Sequence, residues 1–296
     1  MKPDVLWTNR SLEELSKLLT EEGTPAGPKI VQQLLDLHEI GHRQAFKVAT
    51  MGQHKDRNAQ FEKIAGLKQQ YLDSPNPILS IDTKKRELLG LFYRKGKLYV
   101  QETLRVYDHD FPSFGTGSVI PHGLYELKRN FGYINLGTTK DTSEFACDSL
   151  YQWWQADGQV AYPQAKSLLL LCDGGGSNSA SHHIFKEDLQ QLAERLGLEI
   201  RVAHYPPYTS KYNPIEHRLF SQVSRACRGI IFTAVEQVQH YMAKTHTSTG
   251  LKVVVNILNK VYATGRKVAE GFKETMRIVF DDVLPKWNYR AVPTPI

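Results

Sequence analysis

Apolar residues recur at helical spacing in two stretches near the start of the chain. In "SLEELSKLLT" (11–20), Leu12, Leu15, Leu18 and Leu19 share one face behind Ser11, which suits an N-cap. The segment "EEGTPAG" breaks the pattern. "PKIVQQLLDLH" (28–38) then opens on Pro28 in a first turn and repeats with Ile30, Val31, Leu34, Leu35 and Leu37. Two short amphipathic helices around a glycine-containing turn read equally as a helix-turn-helix or as an ordinary helical hairpin. Residues 42–70 are polar and basic, which fits a linker that touches phosphates or a solvated helix face.

From residue 76 the period shortens. "PILSID" (77–82) reads as a strand, and "ELLGLFYRKGKLYVQET" (87–103) as a strand, a turn at Lys95-Gly96 and a second strand. "GYINLGTT" (132–139) is a further strand. "DTSEFACDSLYQWWQADG" (141–158) is helical, with Asp141 as N-cap and Glu144 completing a capping box, and Trp153 and Trp154 as core. A fully apolar strand follows at 168–172, then a helix over 183–196 ending at Gly197. A strand at 198–205 comes next, then a loop and helix over 206–229 ending at Gly229. Strands first, then strands alternating with helices, predict an α/β fold: a mixed sheet flanked by helices. The implied division is a helix-turn-helix over 1–45, a basic linker over 46–75, a sheet domain over 76–232 and a basic C-terminal region over 233–296.

Composition narrows the class. An apolar content of 41% with 23% charged residues is that of a globular protein. No run of about 18 apolar residues is available to cross a membrane, and the first residues lack a signal-peptide h-region. Cys147, Cys172 and Cys227 are scattered, without C-x-x-C pairing. That argues against a disulfide framework or a zinc ribbon and fits a reducing, cytoplasmic setting. The net charge of +6 favours a polyanionic partner without proving one.

Three acids stand where chemistry is done. Asp82 ends the first strand of the sheet region, Asp173 ends the apolar strand in "LLLLCDGGGSNS", and Glu216 lies in the first turn of the helix after the last strand. Strand ends and helix starts at one edge of such a sheet converge on a crevice. Carboxylates gathered there suit hard divalent cations, and two Mg2+ ions suit phosphoryl transfer. Each acid also has a plain structural reading. Asp82 and Asp173 are acceptable turn residues, and "NPIE" places Asn213, Pro214 and Glu216 as N-cap, N1 and N3 of a capping box. The glycines form no nucleotide cradle: "DGGGSNS" lacks the G-x-x-x-x-G-K-[ST] lysine and the last glycine of G-x-G-x-x-G.

The blocks "ILSIDTKKRELLGLF", "LLLLCDGGGSNS" and "HYPPYTSKYNPIEHRLFS" resemble, in order, the three catalytic blocks of the ISAzo-type insertion-sequence transposases. These are bacterial DDE transposases with a ribonuclease H-like core. The stretches at 120–158 and 245–268 and the "WNY" at 287–289 resemble the family too, and a wider similarity is to Tc/mariner-like transposases. The resemblance implies a catalytic and metal-binding triad of Asp82, Asp173 and Glu216. Two Mg2+ ions serve it, with Mn2+ as a substitute. It implies DNA partners, both transposon ends and target, and a bacterial, nucleoid-associated enzyme in the cytoplasm. No membrane is involved, and joining two ends calls for a homodimer or higher oligomer. Asn178 and His182 or His183 take auxiliary parts, and Lys84, Lys85, Lys211 and Arg218 are candidate contacts to the DNA backbone. Relatives carry a longer helical N-terminal region, and the tyrosines of "PPYTSKYN" replace their more usual glycine and tryptophan. The alternatives are a truncated, inactive DNA-binding remnant and a ribonuclease H-like nuclease that does not transpose.

Overall fold

The computed structural model describes residues 6–43, 54–175 and 183–294. The chain divides into two units, 1–50 and 51–296. In the first unit, helix α1 (Leu12–Glu21) starts at Ser11, whose hydroxyl accepts from Glu14 N–H while the Glu14 carboxylate takes Ser11 N–H. This capping box satisfies two donors that a helix start leaves orphaned. Helix α2 (Pro28–Leu37) begins on Pro28. Leu15, Leu18, Leu19, Val31, Leu34 and Leu35 face one another across a shallow apolar groove.

The second unit is built on a nine-stranded sheet. Its strands are β1 (Ile78–Thr83), β2 (Glu87–Leu89), β3 (Gly117–Glu126), β4 (Phe131–Gly137), β5 (Ser167–Cys172), β6 (Glu199–His204), β7 (Lys252–Ile257), β8 (Ile278–Phe280) and β9 (Asn288–Ala291). The order is β7-β4-β3-β1-β5-β6-β9-β8, with β2 paired to β3. β3 runs antiparallel to its neighbours β1 and β4, whereas β1, β5 and β6 run parallel. That is the ribonuclease H-like arrangement. Being covered on both faces, β5 is a continuous apolar run rather than an alternating one.

Helices α4 (Ser143–Trp153) and α6 (His183–Leu196) cover one face, around Leu79, Ile81, Leu168 and Leu170. α4 runs on through a π turn into the short α5 (Gln159–Ala161), with Trp153 and Trp154 buried as expected. The other face carries α3 (Arg57–Leu72) over Ile78, Leu169 and Leu171. Beside it lie the helix around Leu219, Phe220 and Val223, whose last part is α7 (Ser221–Ala226), and α8 (Val235–Ala243). A short α9 (Phe272–Thr275) precedes β8.

Four differences from the sequence reading have physical causes. The expected hairpin over 87–103 is the three-residue β2 and then an irregular connection to β3, with Leu91, Tyr93, Leu98, Tyr99 and Val100 exposed. Its apolar residues find no second strand to pair with. Strand β3 is central although Pro121 and Gly123 lower its strand propensity. The N-cap of α4 is Thr142, which accepts from Phe145 N–H, because the Asp141 carboxylate takes the Thr83 hydroxyl at 3.2 Å instead. The stretch read as a linker holds α3. Its fully buried Gln60 makes a reciprocal amide pair with Asn288 (2.7 and 3.0 Å) and donates to His204 O.

Candidate active site

Asp82 and Asp173 are brought together by strand register. β1 and β5 are parallel, with Ser80 opposite Leu171, so each aspartate lies two residues beyond that pair. Alternation puts both on the face that carries Ile78, Leu169 and Leu171. Glu216 approaches on the same face from a helix laid across the sheet.

The helix is held to β1 by a buried clamp. The Ser80 hydroxyl donates to Asn213 Oδ1 and accepts from Ile215 N–H at 3.0 Å, and Asn213 Nδ2 donates to Ile81 O at 3.3 Å. Ser80 and Asn213 are both fully buried. Asn213 therefore does not cap its own helix as the capping-box reading had it. A strand hydroxyl meets one of the orphaned amides at the helix start and fixes Glu216 relative to Asp82. Glu216 opens a π turn (Glu216–Phe220) that aims Leu219 and Phe220 together into the sheet. Glycines receive them: a Cβ on Gly123 would fall 2.5 Å from Phe220 and 2.9 Å from Ile215, and one on Gly132 would fall 2.5 Å from Leu219. Gly123 is the cross-strand neighbour of Asp82, so its missing side chain is what lets the helix lie close.

A second buried network holds the base of Asp173. His204 Nδ1–H donates to Asp173 O at 2.9 Å, and the Tyr289 hydroxyl lies 3.0 Å from Nε2. His204 and Tyr289 are fully buried. Burial lowers the His204 pKa to about 4, so the ring is neutral with one donor and one acceptor. Trp287 O accepts His204 N–H. Sequence reasoning singled out none of Ser80, Gly123, His204 or Tyr289. The serine in "LSID" and the glycine in "PHGLYE" are the visible traces, and both need the fold to be read.

Electrostatics mark the site as short of positive charge. Burial, then the Asp173 charge, then Glu216 and Asp141 push Asp82 up to about 7, against a lowering bond from Thr83 N–H (2.7 Å). Burial raises Asp173 too, offset by a long bond from Gly175 N–H at 3.4 Å. The Glu216 side chain has no hydrogen bond or ion pair among the described residues. Among the described residues each acid thus keeps at least one oxygen unclaimed, an all-oxygen donor set of the kind a hard divalent cation takes. Among the described residues no group of three or more acidic, histidine or cysteine side chains is already gathered closely enough to hold a metal ion.

The remaining candidates scatter. Asn178 and His182 lie outside the described residues; His183 opens α6. Lys84 is paired with Glu87 at 2.5 Å, which Arg94 also holds at 2.6 Å. Lys85, Lys211 and Arg218 are exposed, with Lys211 5.2 Å from the Tyr212 ring centre.

No helix among the described residues is long and apolar enough to cross a membrane. Among curated proteins none matches the chain. Solved structures with some likeness include "Mos1 transposase paired-end complex with left transposon end", at 16% identity and a TM-score of 0.48, covering 82% of this chain and 72% of that one. Others are "Crystal structure of a pre-cleavage Mos1 transpososome" (14%, 0.49, 79% and 66%) and "Crystal structure of the mariner Mos1 paired end complex with Mg" (18%, 0.46, 82% and 74%). The family described as the Rhodopirellula transposase DDE domain matches residues 1–293, and the chain belongs to it.

Proposed function

We propose that the protein is a DNA transposase that cuts at transposon ends and joins the freed end to target DNA, using Asp82, Asp173 and Glu216. The observation that carries this reading is the pairing of Asp82 and Asp173 at adjacent parallel strand ends, with the start of the helix that bears Glu216 clamped to β1 through Ser80 and Asn213. The family supports the reaction class.

Asp82 feels the charge of both other acids. Asp82, Asp173 and Glu216 are the residues that would hold the divalent ions. When bound, the ions supply Lewis-acid activation of the attacking oxygen and neutralise the leaving oxygen of an in-line displacement. The chain's own contribution is placement. Thr83 N–H fixes one oxygen of Asp82, the His204 network fixes the turn at Asp173, and the Ser80 clamp fixes Glu216. Water as attacking group gives end cleavage, and a 3′-hydroxyl gives joining, so one site serves both steps. The exposed Lys85, Lys211 and Arg218 lie beside these blocks and are suited to backbone contacts that orient the DNA.

The test is incubation of the purified protein with Mg2+ and duplexes bearing the element's terminal repeats, with products separated by size. Joined product, lost in chelator, is expected. Cutting of RNA–DNA hybrid without any joining would favour a nuclease, and DNA binding with neither product would favour a remnant.

A further inference from the structure

A second cleft, on the exposed side of the Glu216 helix, is lined by cations. Arg94, Lys95 and Lys97 come from the β2–β3 connection, and Arg225 and Arg228 from the end of the helix. They surround about 710 Å3 with no carboxylate in the lining. Arg94 is neutralised by Glu87 and lies 4.3 Å from the Phe232 ring centre. Lys95, Lys97, Arg225 and Arg228 form no ion pair among the described residues and are exposed. Ser224 adds a hydroxyl to the wall.

The fold holds these charges together. The 94–97 turn docks on the end of the helix through a glycine–glycine contact. A Cβ on Gly96 would fall 2.5 Å from Gly229 N and 2.7 Å from Arg228 Cβ, and Gly96 has φ 149°. Four unneutralised cations held around one cleft repel one another, and a polyanion relieves that repulsion. The cleft also has a direction. Arg218, Ser221, Arg225 and Arg228 recur along the exposed side of the helix at spacings of three and four residues. Arg225 lies nine residues beyond Glu216, which is roughly 14 Å of helix, or about four base pairs of duplex rise.

We infer that this cleft docks the phosphate backbone of duplex DNA about four base pairs from the reacting phosphodiester. The inference rests on the DNA-joining reading of the carboxylate site, and it adds a contact that the catalytic centre does not contain. The neighbouring carboxylates select this partner. A strand entering the acidic centre needs its flanking phosphates held by opposite charge, and the row of exposed cations begins at Arg218, two residues after Glu216 on the same helix.

The experiment is anisotropy titration of a random-sequence duplex and an end-bearing duplex across a salt series. It compares the parent with the Lys97→Gln, Arg225→Gln, Arg228→Gln triple variant. The slope of log affinity against log salt becomes shallower by about 3 in the variant. A change for the random duplex alone assigns the cleft to target DNA, and for the end duplex alone to the transposon end; both support it. An Arg225→Lys, Arg228→Lys variant keeps the parental slope. Unchanged slopes for both duplexes in a triple variant that melts like the parent would overturn the inference. So would binding of polyglutamate, and not of DNA, that depends on these residues. Joining by the parent is read alongside. Its absence with the slope change intact removes the transposase reading and leaves the cleft as a DNA site.

Discussion

Asp82 concentrates the chemistry of the site in one titration. Burial and neighbouring carboxylates raise its pKa from 3.8 to about 7. Between those values the folded chain therefore holds a proton that the unfolded chain has released. The contribution of this group to cation-free stability falls as pH rises through that window. A divalent cation competes with the same proton, so Mg2+ should raise the melting temperature more near about pH 8 than near about pH 5. Thermal melts at both pH values check this, and an equal gain at both would contradict it. In Asp82→Asn the difference disappears. The Ser80 hydroxyl is the second residue-scale lever. Ser80→Ala leaves Ile215 N–H and Asn213 Oδ1 without their partner, a cost of about 1–3 kcal/mol. Joining should fall further than this loss of stability explains, because Glu216 is no longer pinned to β1. Denaturant melts and joining rates on the same preparation separate the two. The acids were legible in the sequence because a carboxylate at a strand end is a local signal. Ser80 was not, because its role depends on an amide 135 positions away.

Helix against sheet is the next level. The helix that carries Glu216 lies close only because Gly123 and Gly132 leave room for Phe220 and Leu219. Gly123→Ala forces aromatic and aliphatic side chains off their positions, at about 1–3 kcal/mol for an overpacked core. It should also displace Glu216 from Asp82. A melt and a Mg2+ titration of the same variant check both effects, and an unshifted melting temperature would show that the helix can rise without cost. Gly123 also explains what periodicity missed. β3 was not read as a strand because "GSVIPHGLYE" carries Pro121 and Gly123, yet it lies between β1 and β4. Gly123, which weakens it as an isolated strand, admits the helix that carries Glu216. By contrast β5 was plain in the sequence, since a strand buried on both faces needs no alternation. The supposed hairpin over 87–103 had the right residue types but no partner strand, and the Gly96–Gly229 contact folds part of it onto the helix end instead.

At the scale of the whole molecule, the sheet is closed by segments far apart in sequence. Residues read as a separate basic C-terminal region supply β7 on one edge and β8 and β9 on the other. Asn288 and Tyr289 on β9 meet Gln60 of α3 and His204 of β6, and His204 reaches Asp173. Asn288→Ala breaks the buried amide pair and leaves Gln60 Oε1 without its donor, at about 1–3 kcal/mol. Exchange of backbone amides in α3 and β9 should accelerate together, and acceleration in β9 alone would deny the coupling. The charge balance acts at this scale as well: the net +6 is spread unevenly, with acids at the centre and unpaired cations along the adjoining helix. The central claim is that Asp82, Asp173 and Glu216 are one metal-dependent centre, and Asp141 is a neighbour that only perturbs it. A strand-transfer assay with Mg2+ across Asp82→Asn, Asp173→Asn, Glu216→Gln and Asp141→Asn tests this most directly. The account predicts that the first three reduce joined product to background while Asp141→Asn still joins. Joining that survives any one of the three, or that is lost with Asp141 alone, would contradict it.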